Sequence, residues 1–159
     1  MQDTYNYDAL AGALIDLVGM LNSPRQDDIL LREAGVSMDR ALFPLLVRIG
    51  RAGSVSVVEL ADQVGRDHST ISRQTARLES LGLISRRQGV RDQRMREAAI
   101  TAAGQRAVRA IAAARRRLLG KLLADWSPED REAVARLNRK LADTMRAARL
   151  HEERIAHNC

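Results

Sequence analysis

Apolar residues recur at helical spacing along much of the chain. Leu10, Leu14, Leu17, Val18 and Leu21 fall on one face of a helix over 8–21. Asn22-Ser23-Pro24 ends that pattern. Residues 24–38 are polar and mixed, and read as a linker with a short helix around Ile29 to Glu33. Ser37 stands where an N-cap belongs, ahead of an apolar stripe of Leu42, Leu45, Leu46 and Ile49. Pro44 lies inside that stripe, and an interior proline costs about 3 kcal/mol, so the helix either kinks there or starts its regular part just before it.

Ser56 and Glu59 have the spacing of a capping box, and a short helix follows with Val58, Ala61 and Val64 facing inward and Gly65 closing it. Asp67 is placed to cap a second helix, HSTISRQTARLESLG, which Gly82 ends. Two short helices joined by a glycine-containing turn form a helix-turn-helix pattern. The next segment, LISRRQGVRDQRMREAAIT, reads as two short strands around a polar loop holding the turn formers Gly89 and Asp92. Thr101 caps a long Ala- and Arg-rich helix reaching about Asp125, and Ser127-Pro128-Glu129-Asp130 starts another. In that last helix Val134, Leu137, Leu141, Met145 and Ala148 recur every three or four residues, and the tail 151–159 is expected to fray.

Aromatic residues are 3% of the 159, so the core is built from aliphatic side chains. The single cysteine, Cys159, is the last residue and forms no intrachain disulfide. The opening MQDTYNYDAL lacks a basic-then-apolar leader pattern, and no apolar run approaches the ~20 residues that span a bilayer. The expectation is a cytoplasmic protein with no membrane partner. No phosphate loop, dinucleotide loop, serine-nucleophile elbow or paired-histidine zinc motif occurs, which argues against an enzyme, and neither a cofactor nor a metal site is expected.

Charge sharpens the picture. The net charge is +6, and residues 66–96 carry eight arginines against three acids, a surplus of five. The positive charge therefore gathers on the helix-turn-helix and the hairpin, where a polyanion would be met. On the second helix Ile71, Thr75 and Leu78 share the inward side, while Ser69, Thr70, Arg73, Ala76 and Arg77 lie outward. Short side chains near its N-terminus let it enter a major groove ~12 Å wide, and an arginine there can fork onto guanine or grip phosphate. A different class of function, a winged-helix interaction module using the basic face on acidic proteins, has the same charge pattern and is distinguished by showing no preference for duplex DNA over heparin.

The stretch from Glu59 to Gly104 resembles the DNA-binding core of MarR-type winged helix-turn-helix regulators. The likeness rests on Leu60-Ala61, the run Ser69-Thr70-Ile71-Ser72-Arg73, Leu78-Glu79 with Gly82-Leu83, the wing-tip Asp92-Gln93-Arg94, and Thr101 with Gly104. Thr75 departs from the family pattern, where an apolar residue is usual. The resemblance implies a mainly α fold with a winged helix-turn-helix over 37–101. It also implies a helical dimerisation region formed by the N- and C-terminal helices, 8–36 and 102–150. It implies a homodimer that binds pseudo-palindromic double-stranded DNA, as a repressor. Ser69, Thr70, Arg73 and Arg77 would meet the major groove. Arg94, oriented by Asp92, would enter the minor groove, with Arg86, Arg87, Arg91 and Arg96 as wing or phosphate contacts. Relatives often release DNA on binding a small phenolic or aromatic acid, for which Tyr5, Tyr7, Arg40, Phe43 and His68 are the candidate lining residues.

Overall fold

A computed structural model describes residues 7–88 and 96–156, with side chains described as far as Ala148. The chain divides into two units, Met1–Arg117 and Leu118–Cys159.

The first unit holds helices α1 (Tyr7–Leu21), α2 (Pro24–Ala34), α3 (Phe43–Ala52), α4 (Val57–Val64) and α5 (His68–Ser80), and the start of α6 (Ala102–Leu122). Strands β1 (Ser54–Ser56), β2 (Ile84–Gln88) and β3 (Arg96–Ile100) form an antiparallel sheet in the order β1-β3-β2. Val55 pairs with Ala98 on one side of β3, and Arg86 pairs with Ala98 on the other. The core gathers Leu42, Leu45, Leu46 and Ile49 with Leu60, Ile71, Leu78, Ile84 and Ala98. Each fully buried leucine or isoleucine contributes roughly 1.5–3 kcal/mol, so this cluster is the main force holding α3, α4 and α5 on the sheet.

Several sequence expectations are corrected. Residues 24–34 form a full helix rather than a linker with a short helix around Ile29 to Glu33, because Leu30 and Leu31 are buried. Arg117 of α6 anchors its far end, with Nε donating to Glu33 Oε1 at 2.8 Å and Nη2 donating to the Glu33 carbonyl at 2.9 Å. Ser37 does not cap α3, which starts at Phe43 behind Leu42. Pro44 consequently sits in the first turn, where its missing N–H breaks no intrahelical bond. The turn before it is held instead by Asp39, whose Oδ1 accepts from the Ala41 N–H at 2.8 Å. In α4 the inward residues are Val57, Leu60 and Ala61, with Val64 partly buried, while Val58 is 48% exposed. Ala61 and Val64 thus keep their expected side, and Val57 and Leu60 take the place expected of Val58.

The connection from sheet to α6 is tight. The hydroxyl of Thr101 donates to the Gly82 carbonyl at 2.7 Å and accepts from the Gly104 N–H at 3.1 Å, and the Thr101 N–H donates to Leu83 O at 3.1 Å. Gly82 lies at φ +70°, a left-handed conformation that costs a side chain energy. At Gly104 a Cβ would run into the carbonyl oxygen of Leu83.

The second unit contains the end of α6 and α7 (Pro128–Ala156), whose backbone continues helically into residues expected to fray. Ser127 caps α7 by accepting from the Asp130 N–H at 3.0 Å, and Arg131 closes the corner by donating to the Ala124 carbonyl at 2.6 Å. Leu137 and Met145 are exposed along α7.

Among the described residues, no helix is long and apolar enough to cross a membrane, and no cluster of histidine, cysteine or carboxylate side chains could hold a metal ion.

Candidate nucleic-acid interface

Helices α4 and α5 and their turn are shaped by local chemistry. Ser56 Oγ accepts from the Glu59 N–H at 3.1 Å and starts α4. Gly65, at φ +63°, ends it, with Arg66 N–H returning to Ala61 O at 3.2 Å. Asp67 then starts α5. Its Oδ1 accepts from the Thr70 N–H at 2.8 Å and from the Ser69 hydroxyl at 2.5 Å, and its Oδ2 accepts from the Thr70 hydroxyl at 2.6 Å. The hydroxyl bonds, from Ser69 first and Thr70 next, hold the Asp67 carboxyl well below its ordinary pKa.

The inward face of α5 is sealed: Ile71, Thr75 and Leu78 have no exposed surface. Thr75 satisfies its hydroxyl on its own helix, donating to the Ile71 and Ser72 carbonyls, both at 2.9 Å. The polar departure from the family pattern is thus absorbed locally and the core remains apolar in effect. Sealing one face fixes the other, where Ser69, Arg73 and Arg77 are exposed and Thr70 is half-buried. Arg73 Nη2 reaches Thr70 Oγ1 at 3.4 Å, so the guanidinium lies over the first turn of the helix.

On the wing, Arg87 and Arg96 are exposed. Arg86 is engaged: its Nε donates to Glu79 Oε2 at 2.7 Å and its backbone N–H donates to Glu79 Oε1 at 3.2 Å. These two bonds, the side-chain one first, hold the Glu79 carboxyl below its ordinary pKa. Charge counting along the sequence missed this pairing. Arg91, Asp92 and Arg94 lie outside the described residues, as does Tyr5.

The candidate ligand residues separate. Arg40 and Phe43 line one cavity of about 880 Å³ in company with Arg48, Arg51, Arg66 and Arg115. Neither Tyr7, exposed at the start of α1, nor His68, exposed at the start of α5, belongs to its lining. Phe43 is itself a buried residue, and Arg40 has a long 3.9 Å ion pair with Asp28. Asp27, also on this cavity, has its carboxyl pushed up by burial, against the pull of the Arg40 charge. A second cavity of about 520 Å³ lies against α5, lined by Met38, Leu42, Arg73, Gln74 and Arg77. Gln74 Oε1 is a buried acceptor without a hydrogen-bond partner. Sequence reasoning passed over Gln74, since a glutamine between two outward arginines gives no pattern.

The profile of the MarR family matches residues 39–95. The chain is 30% identical over 105 residues to an uncharacterized HTH-type transcriptional regulator of Bacillus subtilis, YxaD, a stretch covering 66% of this chain and 73% of that protein. A second Bacillus subtilis protein with the same description, YdgJ, is 26% identical over 64% of this chain and 62% of its own length. Among solved structures, a MarR family protein from Bacillus stearothermophilus superposes with a TM-score of 0.74 at 24% identity, covering 89% of this chain and 99% of that one. The crystal structure of MarR gives 0.68 at 26% identity, over 86% and 96% of the two chains. The family profile, the Bacillus subtilis relatives and the matching folds agree, and the chain belongs to the MarR family of winged helix-turn-helix transcriptional regulators, not to any class of enzyme.

Proposed function

We propose that this regulator acts as a homodimeric repressor on pseudo-palindromic double-stranded DNA. The observation that carries the reading is the outer face of α5, where Ser69, Arg73 and Arg77 are exposed on a helix whose inner face is sealed. Such a helix presents one fixed set of groups to a major groove. Arg73 forks onto guanine, and Arg77, a turn further along, grips phosphate. Ser69 and Thr70 give their hydroxyl protons to Asp67, so exposed Ser69 is left an acceptor, while Thr70 also accepts from Arg73. Acceptors of that kind suit the amino groups of cytosine and adenine.

The wing reaches the adjacent minor groove through Arg94, steadied by Asp92, with Arg87, Arg91 and Arg96 near the backbone; a narrow minor groove concentrates negative potential and draws arginine in. The exposed apolar residues of α1 and α7 support the dimer, which sets two copies of α5 about 34–36 Å apart, one turn of DNA. The cavity holding Arg40 and Phe43 suits a small aromatic acid, and an acid that prefers a different spacing of the two halves lowers DNA affinity by that preference. Acting on chromosomal DNA places the protein in the cytoplasm.

Fluorescence anisotropy with the duplex upstream of the protein's own gene tests the reading. Wild type binds it over heparin-like polyanions, with a steep negative salt slope. Arg73→Ala weakens binding roughly 10- to 100-fold, the loss of one forked base contact, and Arg94→Ala also weakens it. A double variant lacking both arginines that keeps full affinity refutes the assignment.

A further inference from the structure

Counting charges on the wing credits Arg86 to the DNA surface, yet its guanidinium is bonded to Glu79 at the end of α5. Glu79 lies in the last turn of α5, and Arg86 is the middle residue of β2, seven positions on. The turn between them is pinned by backbone bonds at 81–83. Leu81 N–H returns to Arg77 O at 3.1 Å, Gly82 N–H to Glu79 O at 2.8 Å, and Leu83 N–H to Leu78 O at 3.1 Å. The strand therefore comes back beside the helix it left, and Arg86 arrives at Glu79.

Both oxygens of the carboxylate are used, one on the Arg86 side chain and one on its main chain. Since β2 is an edge of the sheet, this N–H has no neighbouring strand to bond, and Glu79 supplies the acceptor. The two side chains are 37% and 25% exposed, so the pair is partly withdrawn from water. A charge-assisted bond that also holds the backbone restrains both position and direction.

We propose that Glu79 and Arg86 are a positioning pair that fixes the wing to the end of the recognition helix, and that Arg86 does not contact DNA. The proposal rests on the reading of α5 and the wing as the DNA surface. A helix in the major groove and a wing tip in the adjacent minor groove engage together only if their spacing is held before binding. The pair neutralises one arginine of the wing and spends it on that spacing.

The sign of one substitution separates this from ordinary electrostatics. Removing an acid from a DNA-binding face strengthens binding when charge is all that changes. Glu79→Ala is expected instead to weaken binding to the upstream duplex about tenfold, and Arg86→Ala by a similar factor. The double variant is no weaker than either single one, because each removes the same restraint. Glu79→Gln, which keeps an acceptor for the Arg86 N–H, loses only about threefold. Hydrogen exchange at the Arg86 amide reads the restraint without DNA: slow in wild type and faster in Glu79→Ala. Thermal melting, run alongside, shows each variant folded at the assay temperature. Tighter binding by Glu79→Ala overturns the proposal, as do additive losses or an unchanged Arg86 amide. A wild type that ignores every duplex overturns the DNA reading itself and this inference with it.

Discussion

The carboxylate of Asp67 takes three hydrogen bonds in the first turn of α5, and two of them come from hydroxyls of the proposed DNA-reading face, Ser69 and Thr70. One residue thereby starts the helix and holds the Ser69 and Thr70 hydroxyls as donors toward itself. Its pH dependence has a definite sign. The folded-state pKa is depressed below the ordinary 3.8, so the stabilisation is complete above that value and disappears as pH falls through the folded pKa. Asp67→Ala lowers the melting temperature near neutrality. The gap to wild type stays constant from pH 7 to about 5 and narrows only in more acidic solution, as the wild-type carboxylate protonates. Circular dichroism melts of the two proteins across pH check this, and a gap that narrows already at neutral pH would show that some other group is responsible. Thr75 makes the complementary point. It occupies a core position with a polar group, and the fold tolerates it because the hydroxyl bonds back to its own helix.

At the scale of elements, the seam between α6 and the end of α5 is the least forgiving joint. Gly104 lets α6 approach until any side chain would meet the Leu83 carbonyl, which itself accepts from Thr101 N–H. Gly104→Ala should therefore destabilise the fold by about 2 kcal/mol, the overpacking cost outweighing the better helix propensity of alanine. For a chain of this size that is a fall of roughly 4–8 °C in the melting temperature. Calorimetry reads it, and an unchanged or higher value would mean the seam can open freely. The sequence carried α5 plainly, because its cap and its buried stripe are both local signals. It hid β1, since Ser54-Val55-Ser56 is too short to show alternation and exists by pairing with β3, more than forty residues on. It misplaced the start of α3, where the serine at 37 looked like a cap, whereas the helix begins behind Leu42 with no side-chain cap and Asp39 holds only the turn before it. It counted Arg86 as free charge, since a linear tally cannot see a carboxylate folded against it.

At the scale of the whole molecule, the question is what covers the apolar surface of the terminal helices. None of α1 is buried, and Ile15 is 71% exposed and Leu21 69%. Leu122 at the end of α6 is 73% exposed, and Met145 on α7 is 63%. Scattered apolar residues on a surface need no explanation, but a helix on which Leu10, Ile15, Leu17, Val18, Met20 and Leu21 are all exposed, with only Leu14 half-buried, does. Its leucines run along one side, from Leu10 through Leu17 to Leu21, with Ile15 well round from them, so packing has to come from more than one direction. The proposed homodimer answers this: a second copy under a two-fold axis would supply such surroundings and would give two copies of α5 a palindrome to read. Sedimentation equilibrium should accordingly return twice the 17.6 kDa of the chain. Ile15→Glu combined with Leu21→Glu puts two charges where apolar contact is needed, a cost of several kcal/mol per buried unpaired ion, and should yield monomers at micromolar concentration. Neither substitution changes a residue of α5 or the wing, so the folded monomer should keep the proposed half-site contacts and lose the second binding event that tethering provides. Its affinity for the full duplex should fall at least a hundredfold while its affinity for a single half-site stays the same. A dissociated variant that still binds the full duplex at wild-type strength would separate assembly from recognition and remove the two-fold axis from the mechanism.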